Sequence, residues 1–125
     1  MSEEIKQRIL HVDDEEDTLA VVGTILRKEG YDVVSVNRGS TAMEQIVIDG
    51  YSLLIFDIMM PDMSGWELFT KIGKIKPDYK VVFLSILEID PDKLKELLEA
   101  GVKDYIRKPF DRDDLVARVK KAILS

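Results

Sequence analysis

The sequence predicts an α/β fold in which a five-stranded parallel sheet lies between two layers of helices. Short apolar runs alternate along the chain with longer segments whose apolar residues recur at helical spacing. The segments that join them are short. Regular alternation of this kind implies parallel strands, right-handed crossover connections and helices on both faces of the sheet, as in a doubly wound (βα)5 domain.

The five predicted strands are short apolar runs, and the first has a β-branched bias. The third is apolar almost throughout, as expected for a strand that is covered on both faces. A turn at Pro77-Asp78 precedes the fourth. In chain order the predicted strands are residues 8–12, 31–36, 52–57, 80–85 and 102–107.

The predicted helices are recognised from their apolar spacing and from the residues at their ends. In the first, Leu19, Val22 and Leu26 share one face, and Gly30 stands where a C-terminal cap glycine would. Gly50 and Gly101 end the second and fourth in the same way. In chain order the predicted helices are residues 15–29, 40–48, 64–75, 90–100 and 111 to nearly the end of the chain.

Three helices also carry a start signal. Ser64 with Glu67 three residues later forms a capping box. Asp90 is followed by Pro91, which combines an N-cap acid with proline in the first turn. Asp111 precedes the last helix. These signals place the helix starts independently of the apolar pattern.

Length and composition exclude several classes of protein. The 125 residues suit one domain, expected to span residues 1–125 with its core at about 7–124. The absence of cysteine excludes disulfides and thiolate metal sites, and a net charge of -6 argues against nucleic-acid binding by this domain. No apolar run approaches the roughly 18 residues that span a membrane. The N-terminus does not read as a signal peptide, so we expect a cytoplasmic protein.

Five chemically active residues stand at the predicted carboxyl ends of strands, where open parallel sheets bind their ligands. Asp13 and Asp14 follow the first strand and Asp57 ends the third. Ser85 ends the fourth, and Lys108 follows the fifth. Residues far apart in sequence are therefore expected to meet on one rim of the sheet.

Three carboxylates held together repel one another, and a divalent cation would relieve that repulsion. Oxygen ligands suit Mg²⁺, which keeps several waters and takes one or two carboxylates directly. Asp57 is the best nucleophile, since aspartate can accept a phosphoryl group. Asp13 and Asp14 are the better metal ligands, while Lys108 and Ser85 would contact phosphoryl oxygens.

Each of these residues also has an ordinary structural interpretation. Asp13 and Asp14 would favour the N-terminus of the following helix through its dipole. Asp57 could be a turn residue, Ser85 a strand-end hydroxyl and Lys108 a solvated cation. The functional interpretation depends on their conjunction at one edge of an independently predicted sheet.

The chain resembles the receiver domain of two-component response regulators over about residues 7–124. Four segments carry the resemblance: residues 9–15, residues 54–65, Ser85 and residues 101–110. Together they are highly specific, whereas the acid pair alone would not be. The resemblance implies a flavodoxin-like three-layer αβα fold with strand order 2-1-3-4-5.

The resemblance also implies a role for each residue of the rim. Asp57 would accept a phosphoryl group from a phosphohistidine on a sensor histidine kinase or phosphotransfer protein. Asp14 and Asp57 would bind Mg²⁺, with Asp13 acting largely through water and Met59 through its backbone carbonyl. Lys108 would contact the phosphoryl group. The domain would be a signalling phosphoacceptor that assists its own phosphotransfer and dephosphorylation, and not an enzyme in the usual sense.

The remaining implied features concern the switch. The Lys108–Pro109 peptide bond is expected to be cis. Ser85 and Tyr105 resemble the switch pair: Ser85 would move toward the phosphoryl group, and Tyr105 would turn inward from a resting position with a wet hydroxyl. The readout face would comprise the fourth helix, fifth strand and fifth helix, and would act on a downstream effector or on an output domain absent from this chain.

The sequence departs from the family at one position, directly after the switch hydroxyl. Ile86 follows the switch hydroxyl where a small residue is usual, so it is expected to shade the phosphoryl site and to slow transfer and hydrolysis. His11 is expected to be a packed strand residue.

Four charged residues match positions through which some family members form phosphorylation-dependent homodimers, although a solvated charged face explains them as well. They are Lys93, Asp104, Asp114 and Arg118.

Other functions are weighed against this one. A haloacid-dehalogenase-like phosphatase would use an acid at the end of the first strand with a second acid two residues on, a spacing that Asp13 and Glu15 show. A flavin- or nucleotide-binding module is rejected, because the acidic residues 13–16 replace the phosphate loop that it needs. A phosphate-independent receiver-like binding module is disfavoured, because all the key residues are present.

Overall fold

The computed structural model describes residues 6–48 and 50–125, so residues 1–5 of the expected domain and residue 49 lie outside the described residues. Strands and helices alternate along the whole of the described chain. The strands are β1 Arg8–Val12, β2 Asp32–Val36, β3 Leu53–Phe56, β4 Val81–Ser85 and β5 Asp104–Arg107. The helices are α1 Glu16–Lys28, α2 Gly39–Ile48, α3 Gly65–Ile75, α4 Pro91–Glu99 and α5 Arg112–Leu124.

All five strands are parallel and lie in the order β2-β1-β3-β4-β5. The predicted α/β class and the strand order implied by the resemblance are both confirmed. The register brings the carboxyl ends of the strands together, because Val12 pairs with Val36 and Phe56, while Phe56 pairs with Phe83. A common edge follows from parallel pairing in this register, and it positions the site.

The sheet has a separate hydrophobic core on each face. Side chains alternate between the faces along β1, so Leu10 joins the cluster that includes residues of α2, α3 and α4, while Ile9 joins the cluster with α1 and α5. All residues of β3 and β4 are buried. This two-sided burial explains why β3 is apolar throughout and β4 is apolar up to Ser85.

The predicted helix caps are present. The Ser64 hydroxyl accepts a hydrogen bond from the Glu67 amide at 3.0 Å, and the Asp90 carboxylate accepts one from the Lys93 amide at 2.7 Å. Gly30 has φ of +97°, which places it in the left-handed region that favours glycine. These local signals therefore predicted where helices begin and end to within one or two residues.

The main difference from the predicted boundaries is at β5, which begins at Asp104 instead of residue 102. The Val102 amide donates to the Leu97 carbonyl and closes the end of α4, while the Lys103 amide donates to the Val81 carbonyl. Residues 102 and 103 therefore form the connection between α4 and β5, and Lys103 already contacts β4.

The N-terminus of α2 is capped from another loop. The Asp62 carboxylate accepts hydrogen bonds from the amides of Gly39 at 3.0 Å and Ser40 at 2.9 Å. These two bonds lower the pKa of Asp62 below its usual value. The loop that follows β3 is thereby tied to α2.

Candidate phosphoryl-acceptor site

Backbone hydrogen bonds continue the sheet by one residue at its carboxyl edge and so position the site. The Asp13 amide donates to the Val36 carbonyl at 3.1 Å, and the Asp57 amide donates to the Val12 carbonyl at 2.9 Å. The Lys108 amide donates to the Ser85 carbonyl at 2.9 Å. All of these residues are therefore held by main-chain contacts before their side chains interact.

Three carboxylates meet at this edge. Asp13, Asp14 and Asp57 each offer an oxygen, and these oxygens lie within 4.8 Å of one another. Asp13 and Asp57 are buried, whereas Asp14 is exposed. The structure thus brings together the three acids that the sequence predicted to meet, with one of them open to solvent.

The Lys108 ammonium lies among the acids. Its Nζ is 2.8 Å from Asp13 Oδ2, 3.2 Å from Glu15 Oε1 and 3.6 Å from Asp57 Oδ2. The Lys108–Pro109 peptide bond is cis, as the resemblance implied. Glu15 was not predicted to take part, although its place directly after the acid pair was a signal that could have found it.

Burial and mutual repulsion perturb these groups. Burial raises the pKa of Asp57 to about 6, and the charge of Asp13 adds to this, while Lys108 and the amides of Met59 and Ile58 oppose it. Burial by itself would lower the pKa of Lys108, but its bonds to Asp13 and Glu15 and the charge of Asp57 raise it overall. A raised aspartate pKa beside a buried cation is typical of functional sites.

The loop after Asp57 approaches the main chain so closely that it requires glycine. A Cβ on Gly65 would lie 2.2 Å from the Asp57 carbonyl oxygen. The Gly65 amide instead donates to the Ile58 carbonyl at 2.8 Å. The Met59 amide donates to Asp57 Oδ1 at 3.4 Å, so this loop also orients the carboxylate.

The two expected switch residues share a partner that the sequence did not reveal. The buried Ser85 hydroxyl accepts from the Leu87 amide at 3.2 Å, and the Tyr105 hydroxyl donates to the Leu87 carbonyl at 2.6 Å. Leu87 therefore links both side chains through its backbone. The sequence indicated this role of Leu87 only by its position, two residues after Ser85.

The expected resting position of Tyr105, with a wet hydroxyl, is wrong for this structure. The side chain is only 7% exposed, and its ring packs edge-on against Phe83 with centroids 6.4 Å apart. Contact with Phe83 and the bond to Leu87 stabilise the inward position. Tyr105 is thus already turned inward.

Ile86 lies at the open side of the site. It is 59% exposed and lines a groove together with Glu15, Lys108 and Phe110. This side chain shares the groove with Lys108 and does not belong to either core.

His11 is a packed strand residue, as expected, but it is an unusual one. It is fully buried, and neither ring nitrogen has a hydrogen-bond partner among residues 6–48 and 50–125. Burial lowers its pKa to about 4, partly opposed by Asp13 and reinforced by Lys108. Its Nε2 lies 3.8 Å from Asp13 Oδ2, which is too long for a hydrogen bond.

The four charged residues of the expected dimer face pair within the chain. Arg118 bonds Asp104 at 3.1 Å and Asp114 at 3.0 Å. Lys93 lies 3.6 Å from Glu96 and over the ring of Trp66. The structure therefore brings three of them together and leaves Lys93 with other partners.

A parallel α/β sheet with three acids and a lysine at its carboxyl edge defines a class of phosphoryl-accepting signalling domain. The family model described as response regulator receiver domain matches residues 9–120. The chain belongs to this family, and it is a signalling domain of two-component systems.

Individual relatives agree. The chain is 35% identical over 118 residues to the transcriptional regulatory protein YkoG of Bacillus subtilis, covering 94% of this chain and 51% of that protein. It is 32% identical to a CheY-like receiver domain from Methanospirillum hungatei, with a TM-score of 0.86 and coverage of 95% and 94%. It is 33% identical to the response regulator TrrA of Thermotoga maritima, solved with Mg²⁺ and BeF, with a TM-score of 0.81 and coverage of 93% and 98%.

The chain spans about half the length of the curated relatives that it matches. Among the described residues, none of the helices is both long and apolar enough to cross a membrane.

Proposed function

We propose that Asp57 accepts a phosphoryl group from a phosphohistidine on a sensor histidine kinase or phosphotransfer protein. One observation carries the proposal: Asp57 is buried at the carboxyl edge of the sheet with a second acid and an ammonium group beside it. In the transfer, an Asp57 carboxylate oxygen bonds to phosphorus, the phosphorus–nitrogen bond breaks, and the electron pair leaves with the imidazole. The domain would accept one phosphoryl group and then signal, without repeated turnover of a substrate.

We further propose that Mg²⁺ is held by Asp14, Asp57 and the Met59 carbonyl, with Asp13 acting largely through water. The donor set fits, because its carboxylate oxygens lie within 4.8 Å of one another and all-oxygen sites suit this ion. Both Asp13 oxygens already accept hydrogen bonds, from the Glu15 amide and from Lys108, which supports an indirect role. When bound, the ion would neutralise the charge of the acids and of the phosphoryl oxygens.

Lys108 would move toward the phosphoryl group once Asp57 is phosphorylated. Its Nζ is already 3.6 Å from Asp57, and the phosphoryl group adds negative charge on that side. The ammonium would therefore turn from Asp13 toward a phosphoryl oxygen, where a positively charged donor stabilises the transfer.

The switch would run through Leu87. The Ser85 hydroxyl would donate to a phosphoryl oxygen and move away from the Leu87 amide, while Tyr105 holds the Leu87 carbonyl. The change would reach α4, β5 and α5 through the loop that ends at Asp90. We propose a downstream effector protein or an output domain as the target, since several curated relatives are named transcriptional regulators. The negative charge of this domain disfavours direct contact with nucleic acid.

Incubation with acetyl phosphate and Mg²⁺, followed by intact mass measurement, tests the proposal. A gain of one phosphoryl group in the native chain and none in Asp57→Asn is expected. Turnover of a phosphate ester that survives in Asp57→Asn and is lost in Asp13→Asn would instead favour the phosphatase function.

Ile86 is proposed to slow transfer and hydrolysis by covering the approach to Lys108. Ile86→Ala should then dephosphorylate faster. Val21→Ala, which removes an exposed apolar side chain from the same groove, serves as the control. An unchanged dephosphorylation rate in Ile86→Ala would exclude this role.

A phosphorylation-dependent homodimer would require Arg118 to exchange its partners within the chain for those of a second copy. Measurement of mass in solution with and without beryllofluoride tests this. A monomer in both states would count against signalling by dimerisation.

A further inference from the structure

His11 is a buried titratable group for which the proposed function has no use. Side chains alternate along β1, so residues 9, 11 and 13 share the face toward α1 and α5. This alternation places the imidazole directly behind the Asp13 carboxylate, with Nε2 3.8 Å from Oδ2.

Packing alone does not explain an imidazole here. His11 pairs in register with Ile55 and Ser35, and both of its nitrogens are buried without a partner among the described residues. An unmade hydrogen bond in the interior is unfavourable, and a valine would fill a strand position without that penalty. The orphaned donor therefore points to a state in which it has a partner.

Asp13 needs such a partner once the site is phosphorylated. Its Oδ1 accepts from the Glu15 amide at 2.9 Å, and its Oδ2 accepts from Lys108 at 2.8 Å. If Lys108 turns to a phosphoryl group on Asp57, Oδ2 loses its cation while the side chain stays buried. A buried carboxylate that loses its protein donor is less firmly held.

We propose that His11 is the reserve hydrogen-bond donor for Asp13: its Nε2–H takes over Oδ2 when Lys108 turns to the phosphoryl group, and so holds Asp13 in place. This inference rests on the proposed function of Asp57. The required movement is about 1 Å, from 3.8 Å to a normal N–H···O distance.

The imidazole suits this role because it is neutral. The ring is fully buried, where a positive charge would be costly, and a neutral imidazole carries one N–H. The neighbouring carboxylate favours the tautomer with that proton on Nε2. A neutral donor can hold Asp13 without opposing either Lys108 or a bound cation. Hydrogen bonds from a second layer of residues commonly orient metal-binding carboxylates in this way.

His11 is the single histidine of the chain, so ¹⁵N-histidine labelling gives one set of ring signals. Spectra are recorded with Mg²⁺ alone and then with Mg²⁺ and beryllofluoride, and ¹⁹F signals report whether beryllofluoride is bound. On binding, we expect the Nε2–H proton to shift downfield and to exchange more slowly with water. An unchanged signal in protein that has bound beryllofluoride would overturn the inference.

Affinity for beryllofluoride gives a second readout. His11→Val should weaken it by about tenfold, a typical loss when an outer hydrogen bond to a metal site is removed. His11→Gln, whose amide N–H stands near the position of Nε2, should restore most of it. Affinity for Mg²⁺ alone should change far less, because Lys108 still holds Asp13 in that state. Equal losses in both affinities would indicate a purely structural role and overturn the inference.

These experiments distinguish a failure of the proposed function of Asp57 from a failure of the inference on His11. If neither beryllofluoride nor acetyl phosphate modifies the native chain at Asp57, the proposed function fails and His11 has no such role. If Asp57 is modified and His11 does not respond, only the inference on His11 fails.

Discussion

The two sides of the phosphoryl-acceptor site are built differently. On the side of β1 and the loop before α5, buried charges meet: Lys108 contacts Asp13 at 2.8 Å. The helix α5 on this side buries five side chains. On the side of β4 and α4, neutral hydrogen bonds join Ser85 and Tyr105 to Leu87, and α4 buries only Leu97.

The charged side is suited to binding the phosphoryl group, and the α4 side is suited to the conformational response. Charge-assisted bonds among buried groups are about twice as strong as neutral ones, and a cation lost from a buried acid is costly. A helix that buries one side chain loses few stabilising contacts when its first turn moves. We therefore expect substitutions on the charged side to affect phosphorylation and global stability most, and those on the α4 side to affect local motion.

Lys108→Met should have the largest effect. It removes the cation between Asp13 and Asp57, so the initial rate of phosphorylation by acetyl phosphate should fall about 100-fold or more. The free energy of unfolding should fall by about 3 kcal/mol, because buried acids lose their partner. The matched control is Arg107→Met, whose exposed side chain pairs loosely with Glu88 at 3.7 Å. Similar phosphorylation rates in both variants would contradict the division of the site into a charged side and an α4 side.

His11→Val should abolish an acid sensitivity of the charged side. The pKa of His11 is about 4 in the folded state and about 6.5 when unfolded, so below pH 6.5 the unfolded chain binds the additional proton. The native protein should thus lose about 3 kcal/mol as pH falls from 7 to 4 through this group alone. Asp57, with a raised pKa, opposes this change in both proteins. Urea unfolding of both across this range measures the difference, and parallel pH curves would exclude it.

Leucine truncation compares the two helices directly. Leu115→Ala on α5 should lower the free energy of global unfolding by about 3 kcal/mol, since this side chain is fully buried. Leu97→Ala should cost about 2 kcal/mol, and it should raise amide hydrogen exchange chiefly within α4. Hydrogen exchange that rises across the whole sheet in Leu97→Ala would show that α4 is not separately mobile.

Tyr105→Phe should have the smallest effect. It removes the hydroxyl bond to the Leu87 carbonyl and keeps the ring against Phe83, so the expected loss is about 1 kcal/mol. Amide exchange at residues 86–90 should rise while that of β1 stays constant. A loss as large as that of Lys108→Met would remove the distinction between the two sides.

Local signals in the sequence predicted the elements well because their causes are local. Capping at Ser64 and Asp90 involves residues three apart, and the apolar strands follow from burial on both faces. Alternation of these elements was enough for the α/β class, and parallel pairing then brought Asp13, Asp57 and Lys108 to one edge. The strand order came from the family resemblance, because no local pattern distinguishes one order from another.

Only the tertiary structure decided how the side chains of that edge interact. Lys108 and Asp13 are 95 residues apart in sequence, and Asp62 caps α2 from a different loop. The inward position of Tyr105 and the orphaned imidazole of His11 depend on the packing of neighbouring strands and loops. Sequence spacing gives the face of a strand on which a residue lies. Distances of 2.8 or 3.8 Å between side chains depend on the whole fold, because each is set by several elements at once.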